Sequence, residues 1–338
     1  VTANNNVIGV AYSGNFISSN GRSGVKLDNV SGNGVYGNYI GNGSGNVGKG
    51  NGEHGVLIQG GSGNVVGGSV MGRGNVISAN ALDGIRFTGT SSNTVQGNYV
   101  GLNAGGGSLG NGNNGIALIA SSNNNTIGGT TAGERNIVSG NGPGCCTGVY
   151  VGESTGNTIR GNYIGTDASG TVAMPNRFGI FQRNSTSTIG GTAGGAGNLI
   201  SGNAQEGIRF ESGNGNTVQG NYVGTNAAGT AALGNGNLGI WVSTSNNLIG
   251  GTTAAARNVV SGNPNNHGIY FDGSGTNTVQ GNYVGTNAAG TGAIPNRWGI
   301  VLRANGNLIG GTAAGTGNVI SGNNDGGIYA EGDSNTYQ

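Results

Sequence analysis

"NTVQGNYVGTNAAGT" occupies residues 216–230 and recurs, letter for letter, at residues 277–291. A single active site does not need its loops copied, so the copy marks either a unit of architecture or a duplicated site. The pattern spreads outward with small variations. Ile-Gly-Gly or a near variant begins at Ile8, Val66, Ile127, Ile189, Ile249 and Ile309, and Asn-Val-Ile-Ser-Gly-Asn or a near variant at Asn15, Asn75, Asn136, Asn198, Asn258 and Asn318. The unit is therefore about sixty residues long and fills the chain.

A finer repeat lies inside it. Gly, then Ile or Val, then a variable residue, then an apolar one recurs at Gly24, Gly55, Gly84, Gly115, Gly148, Gly179, Gly207, Gly239, Gly268, Gly299 and Gly327, spaced 28 to 33 residues apart. Each start is followed by a second short segment, Asn-Thr-Val or Asn-Leu-Ile, and by a third, Asn-Tyr-Val-Gly-Thr-Asn or Asn-Val-Ile-Ser-Gly-Asn. Three short β segments per roughly thirty residues make one coil of a β-solenoid, and a fixed period of that size is the mark of stacked repeats. Coils alternate in type: one carries its long turn after the third segment, as in "AAGTAALGN", and the next carries it before, as in "TTAAAR".

Composition agrees. Of 338 residues, 79 are Gly and 53 are Asn, both tolerant of the positive φ that tight turns need, and only 7% are charged. No stretch has helical amphipathic periodicity, while Val and Ile recur too regularly for a disordered chain. Thirteen basic and twelve acidic residues are spread singly for a net charge of +1. There is no basic patch for nucleic acid, no polybasic anchor and no apolar run long enough to span a bilayer. The expected location is extracellular or at the cell surface, with the chain a mature form or a fragment of a longer secreted protein.

The repeats resemble those of right-handed parallel β-helix proteins, the architecture shared by pectate lyases, polygalacturonases and phage tailspikes. The Gly-Ile-x-Phe, Asn-x-Ile-x-Gly-Asn and Ile-Gly-Gly-Thr motifs carry the resemblance over the whole chain. It implies a fold and leaves function open. The expectation is one all-β domain over residues 1–338, a single-stranded right-handed parallel β-helix of about eleven coils, roughly 50 Å long at about 4.8 Å per coil. Asn64, Asn93, Asn125, Asn157, Asn216, Asn247, Asn277 and Asn307 would stack into an asparagine ladder, broken once at Ser187.

Strand alternation divides the first segment into two faces. Counting from its opening Gly, positions +1 and +3 are apolar and form the core, with Gln182 a polar exception. Positions +2 and +4 face outward. Position +2 brings Tyr150, Phe181, Arg209, Trp241 and Tyr270 together on successive coils, a candidate glycan-binding surface, and the resemblance implies that related enzymes treat polysaccharides on this side. Aromatics on a sheet face are also ordinary packing. Position +4 includes Glu211 and Asp272, two coils or roughly 9–10 Å apart, near the upper limit for an inverting glycosidase pair. Arg183 and Arg303 flank them and are expected to keep both ionised, which would leave the pair without an acid. No aspartate cluster suggests calcium, and His54 and His267 lie about seven coils apart.

In the third segment both central residues are apolar, yet only one of each pair can face inward. Tyr39, Tyr99, Tyr163, Tyr222 and Tyr283 thus alternate with aliphatics in an outward stripe, which the long turns must cover or a second subunit must occupy. The adjacent Cys145 and Cys146 fit a local turn feature or free thiols better than a metal site, since no second ligand pair accompanies them. No cofactor or metal is implied. The leading expectation is a non-catalytic extracellular structural protein, self-associating laterally or head to tail and contacting glycans. The alternative is a polysaccharide-active enzyme. Ice binding is a minor one, resting on the regular column Asn38, Ser69, Asn98, Thr130, Asn162, Thr192, Asn221, Thr252, Asn282 and Thr312.

Overall fold

A computed structural model describes residues 1–43, 47–142, 144–273 and 275–338. Strands of two to six residues form three parallel sheets running the length of the molecule: eleven strands from the first segments (sheet I), twelve from the second (sheet II) and eleven from the third (sheet III). Every strand pairs with its counterpart one coil along, as in Arg209 opposite Trp241, Val218 opposite Ile249 and Tyr222 opposite Val259. The solenoid is the right-handed parallel β-helix that the repeats imply.

The core is the predicted one. The +1 and +3 side chains of sheet I, with one aliphatic per strand from the other sheets, form one continuous cluster from Val25 to Ile309. Gln182 is fully buried within it, and neither of its amide atoms has a hydrogen-bond partner.

The corners are held by asparagine ladders, and there are three of them. The expected one is present and includes Asn33 and Asn335; at its break the Asn157 amide keeps the usual bond to a backbone carbonyl, that of Ser122, and loses the onward one. Two more run unbroken, one asparagine per coil, from Asn15 to Asn318 before sheet III and from Asn20 to Asn323 after it. Each side-chain oxygen accepts from the preceding ladder residue while each amide donates onward and to a backbone carbonyl, so buried corner backbone is satisfied without water. The glycine beside a ladder is forced by closeness: at Gly224 (φ 88°) a Cβ would lie 2.3 Å from the Ser261 carbonyl oxygen and 2.6 Å from the Asn263 amide. These ladders dispose of the ice-binding column, because Asn38, Asn98, Asn162, Asn221 and Asn282 are rungs with no exposure at all.

The tyrosine stripe on sheet III is largely roofed by the chain's own turns. Hairpins closed at Thr166–Ala173, Thr225–Ala232 and Thr286–Ala293 fold back so that Gly170, Gly229 and Gly290 abut the rings of Tyr163, Tyr222 and Tyr283. From the other side Arg135 and Arg257 lay their guanidinium groups 4.0 Å from the Tyr163 and Tyr283 ring centres. The intervening Ile137, Leu199 and Val259 are buried. Tyr39, stacked on the exposed Phe16, and Tyr99 lie outside these three hairpins.

Candidate functional site

Sheet I presents its +2 column outward in perfect register: Tyr150, Phe181, Arg209, Trp241 and Tyr270 pair strand to strand over five consecutive coils. Pleating dictates the direction, since their +1 and +3 neighbours are locked in the core. At about 4.8 Å per strand the column spans about 19 Å. Its members are half-buried because they pack on one another. Tyr150 meets Phe181 edge to face at 5.6 Å, and the Arg209 guanidinium lies 4.0 Å over Trp241 and 5.3 Å over Phe181. The rings are thus clamped along the axis, a cation–π arrangement, rather than laid side by side as a flat platform.

A second column was hidden in the sequence. The residue just before each opening Gly, position −1, packs beside the +2 residue of its own coil. Asp83 pairs with Arg86 at 3.0 Å and Glu206 with Arg209 at 3.8 Å, while Phe178 contacts Phe181 at 5.5 Å and His267 stacks on Tyr270 at 5.7 Å. Strand alternation alone assigns position −1 inward. The complementary types three residues apart were the available signal.

Unpaired polarity collects here. Glu206 Oε2, Arg209 Nε, His267 Nδ1 and Asp272 Oδ1 are all buried without a hydrogen-bond partner. Burial pushes the Asp272 carboxyl above its ordinary range and outweighs the Trp241 hydrogen bond and the charges of Arg209 and Arg303. The shift opposes the effect expected of the flanking arginines at Asp272. Arg303 is engaged instead by Glu331 at 2.7 Å, and Arg183 stands 3.7 Å from Glu211. Burial, reinforced by Arg297 and Arg303, pushes His267 down, so its ring is neutral at physiological pH. His54 lies at the far end of the same face, also lowered by burial, against Asp83.

Four surface depressions of about 200–450 Å³ open on this face. They lie beside Lys26 and Leu57, beside Tyr150, beside His267 and Tyr270, and beside Trp298 and Tyr329. Cys145 and Cys146 are joined to each other in a vicinal disulfide at the turn leading into this sheet. The Cys146 carbonyl accepts from the Arg177 backbone, and Arg177 lies 4.9 Å over Phe178.

A family model described as periplasmic copper-binding protein (NosD) matches residues 109–324. No curated protein matches the sequence. Among solved structures, the periplasmic alginate epimerase AlgG is 15% identical over 93% of this chain and 70% of its own, with a TM-score of 0.42. The Dettilon tailspike protein is 16% identical over 98% of this chain and 60% of its own, at 0.43. PfbA, a surface adhesin of Streptococcus pneumoniae, is 12% identical over 98% and 73%, at 0.30. These likenesses are of fold. No helix among the described residues is long and apolar enough to cross a membrane.

The residues present do not fit copper. Copper sites gather imidazole, thiolate or thioether donors around one point. Here the two histidines stand at opposite ends of the solenoid, both thiols are consumed in the disulfide, and no three of His, Cys, Asp and Glu converge among the described residues.

Proposed function

Because the chain belongs to the NosD family of periplasmic β-helix proteins, we propose that it acts outside the cytoplasm as a rigid, non-catalytic scaffold whose sheet I face holds a polysaccharide. One observation carries the reading: Tyr150, Phe181, Arg209, Trp241 and Tyr270 share one outward register column on a face where four depressions open. Aromatic rings and an arginine spaced at the coil rise match a ligand that is itself a linear repeat of flat apolar faces edged with hydroxyls.

Affinity electrophoresis against acidic and neutral polysaccharides tests the proposal. Retardation of the wild type that is lost in Trp241→Ala and Tyr270→Ala supports it; retardation unchanged in both variants refutes the aromatic column. Self-association through the tyrosine stripe is secondary, because its central aliphatics are already buried, and light scattering at high concentration tests it.

A second reading, hydrolysis by Glu211 and Asp272, is favoured by a single observation: burial raises the Asp272 carboxyl and suits it to hold a proton. Release of reducing ends that disappears in Asp272→Asn would select this reading over a purely binding one.

A further inference from the structure

Position +4 of sheet I carries a side chain in every coil but one, where it is Gly152. Leu118 pairs with Val151 and Gly152 with Arg183, so the missing side chain leaves a notch between Ile119 and Arg183. At about 4.8 Å per strand these walls stand about 9.6 Å apart. Tyr150 leans over into the vacancy: a Cβ on Gly152 would lie 2.8 Å from its hydroxyl and 2.9 Å from its ring edge. The resulting depression of about 420 Å³ is lined by Ile119, Tyr150, Glu153, Arg183 and Asn184.

The corner residue behind the notch is unusual. Glu153 and Asn184 both adopt left-handed backbone, at φ 52° and 50°. Glycine or asparagine fills the same left-handed corner at Asn29, Gly60, Gly89 and Gly273, and Ala120 does so in the coil before; left-handed backbone is several-fold enriched in asparagine but not in glutamate. Among the described residues the exposed Glu153 side chain has no hydrogen-bond or ion-pair partner that would explain its placement. Glu153 thereby lines the depression together with Arg183 and Asn184, and Ile119 adds an apolar wall.

We propose that the notch at Gly152 is a subsite for a neutral hexopyranose unit, one ring face against Tyr150 and Ile119 and its hydroxyls shared between Glu153, Arg183 and Asn184. This rests on the reading of sheet I as a polysaccharide-binding face and sharpens its ligand class. Charge decides for a neutral sugar: Arg183 already has Glu211 at 3.7 Å, and Glu153 adds an uncompensated negative charge that repels a polyanion. Burial raises the Tyr150 phenol further above its ordinary value, so it remains a hydroxyl donor at working pH.

The test is affinity electrophoresis of the intact chain in gels containing hydroxyethyl cellulose, galactomannan or dextran, with alginate and polygalacturonate as acidic counterparts. The proposal expects retardation by at least one neutral polymer, weakened tenfold or more in Gly152→Ala, which lifts Tyr150, and in Glu153→Ala, which alters only an exposed corner. Should a neutral polymer bind equally well to both variants yet fail with Trp241→Ala, the subsite is wrong and the face stands. Retardation by the acidic polymers alone overturns the neutral class, again leaving the face. With no polymer binding at all, both fall.

Discussion

Replacing Asn221 with alanine removes one rung from an unbroken ladder. Its side-chain oxygen accepts from the backbone and amide nitrogens of Asn198 at 3.0 and 2.9 Å, and its amide donates to the Ile189 carbonyl at 2.9 Å and to Asn258 Oδ1 at 3.0 Å. Alanine therefore strands two donors of Asn198 at a site with no solvent exposure. At about 1–3 kcal/mol for each buried group left unpaired, the expected loss is about 4 kcal/mol. A stacked repeat couples mainly to its neighbours, so the loss should appear locally as well as globally. Guanidinium unfolding gives the total, and hydrogen exchange read by mass spectrometry should show the Asn198 amide losing protection while coils near Asn33 and Asn307 keep theirs. A loss below about 0.5 kcal/mol with the Asn198 amide still protected would refute the idea that the ladders hold the corners.

The reciprocal change, Ser187→Asn, fills the one gap in the sheet II ladder, where the Ser187 hydroxyl is buried without a partner; it should raise stability by about 1 kcal/mol in the same denaturant assay. Asp272→Asn probes the raised carboxyl. A folded-state pKa above the ordinary 3.8 means the protonated form favours the fold, a contribution complete below 3.8 and lost as pH rises through the folded value. The variant, permanently neutral, should therefore melt above the wild type at pH 7, with the difference vanishing in acid; equal melting temperatures at pH 7 would count against burial as the cause. Copper titrated into the oxidised protein, followed by desalting and elemental analysis, should leave less than one ion per chain, whereas one tightly held copper would mean the donors converge.

The coil, its three faces and nearly every core position were legible because repetition turns a weak local pattern into a column, and pleating then decides which residues point inward. Two of the three ladders were not. Asn221 sits one residue before Tyr222 and reads as the polar start of a strand, yet the stacking geometry turns its amide along the axis and buries it. Position −1 was missed for a related reason. Glu206 and His267 precede the strand proper, where alternation no longer governs, and only their contacts with Arg209 and Tyr270 show that they belong to the outer face. At Asp272, sequence spacing located the arginines but not the burial that opposes them, and Arg303 has a nearer partner in Glu331. The tyrosine stripe was read as a surface in need of a cover, and hairpins after sheet III lie over Tyr163, Tyr222 and Tyr283.

Hydroxyl-radical footprinting with and without a retained polysaccharide tests the central claim most directly, because it reports side-chain access at each aromatic residue. The account predicts protection at Tyr150, Phe181, Trp241 and Tyr270 and none beyond background at Tyr163, Tyr222 and Tyr283. Protection confined to the sheet III tyrosines, with the sheet I column unchanged, would contradict it.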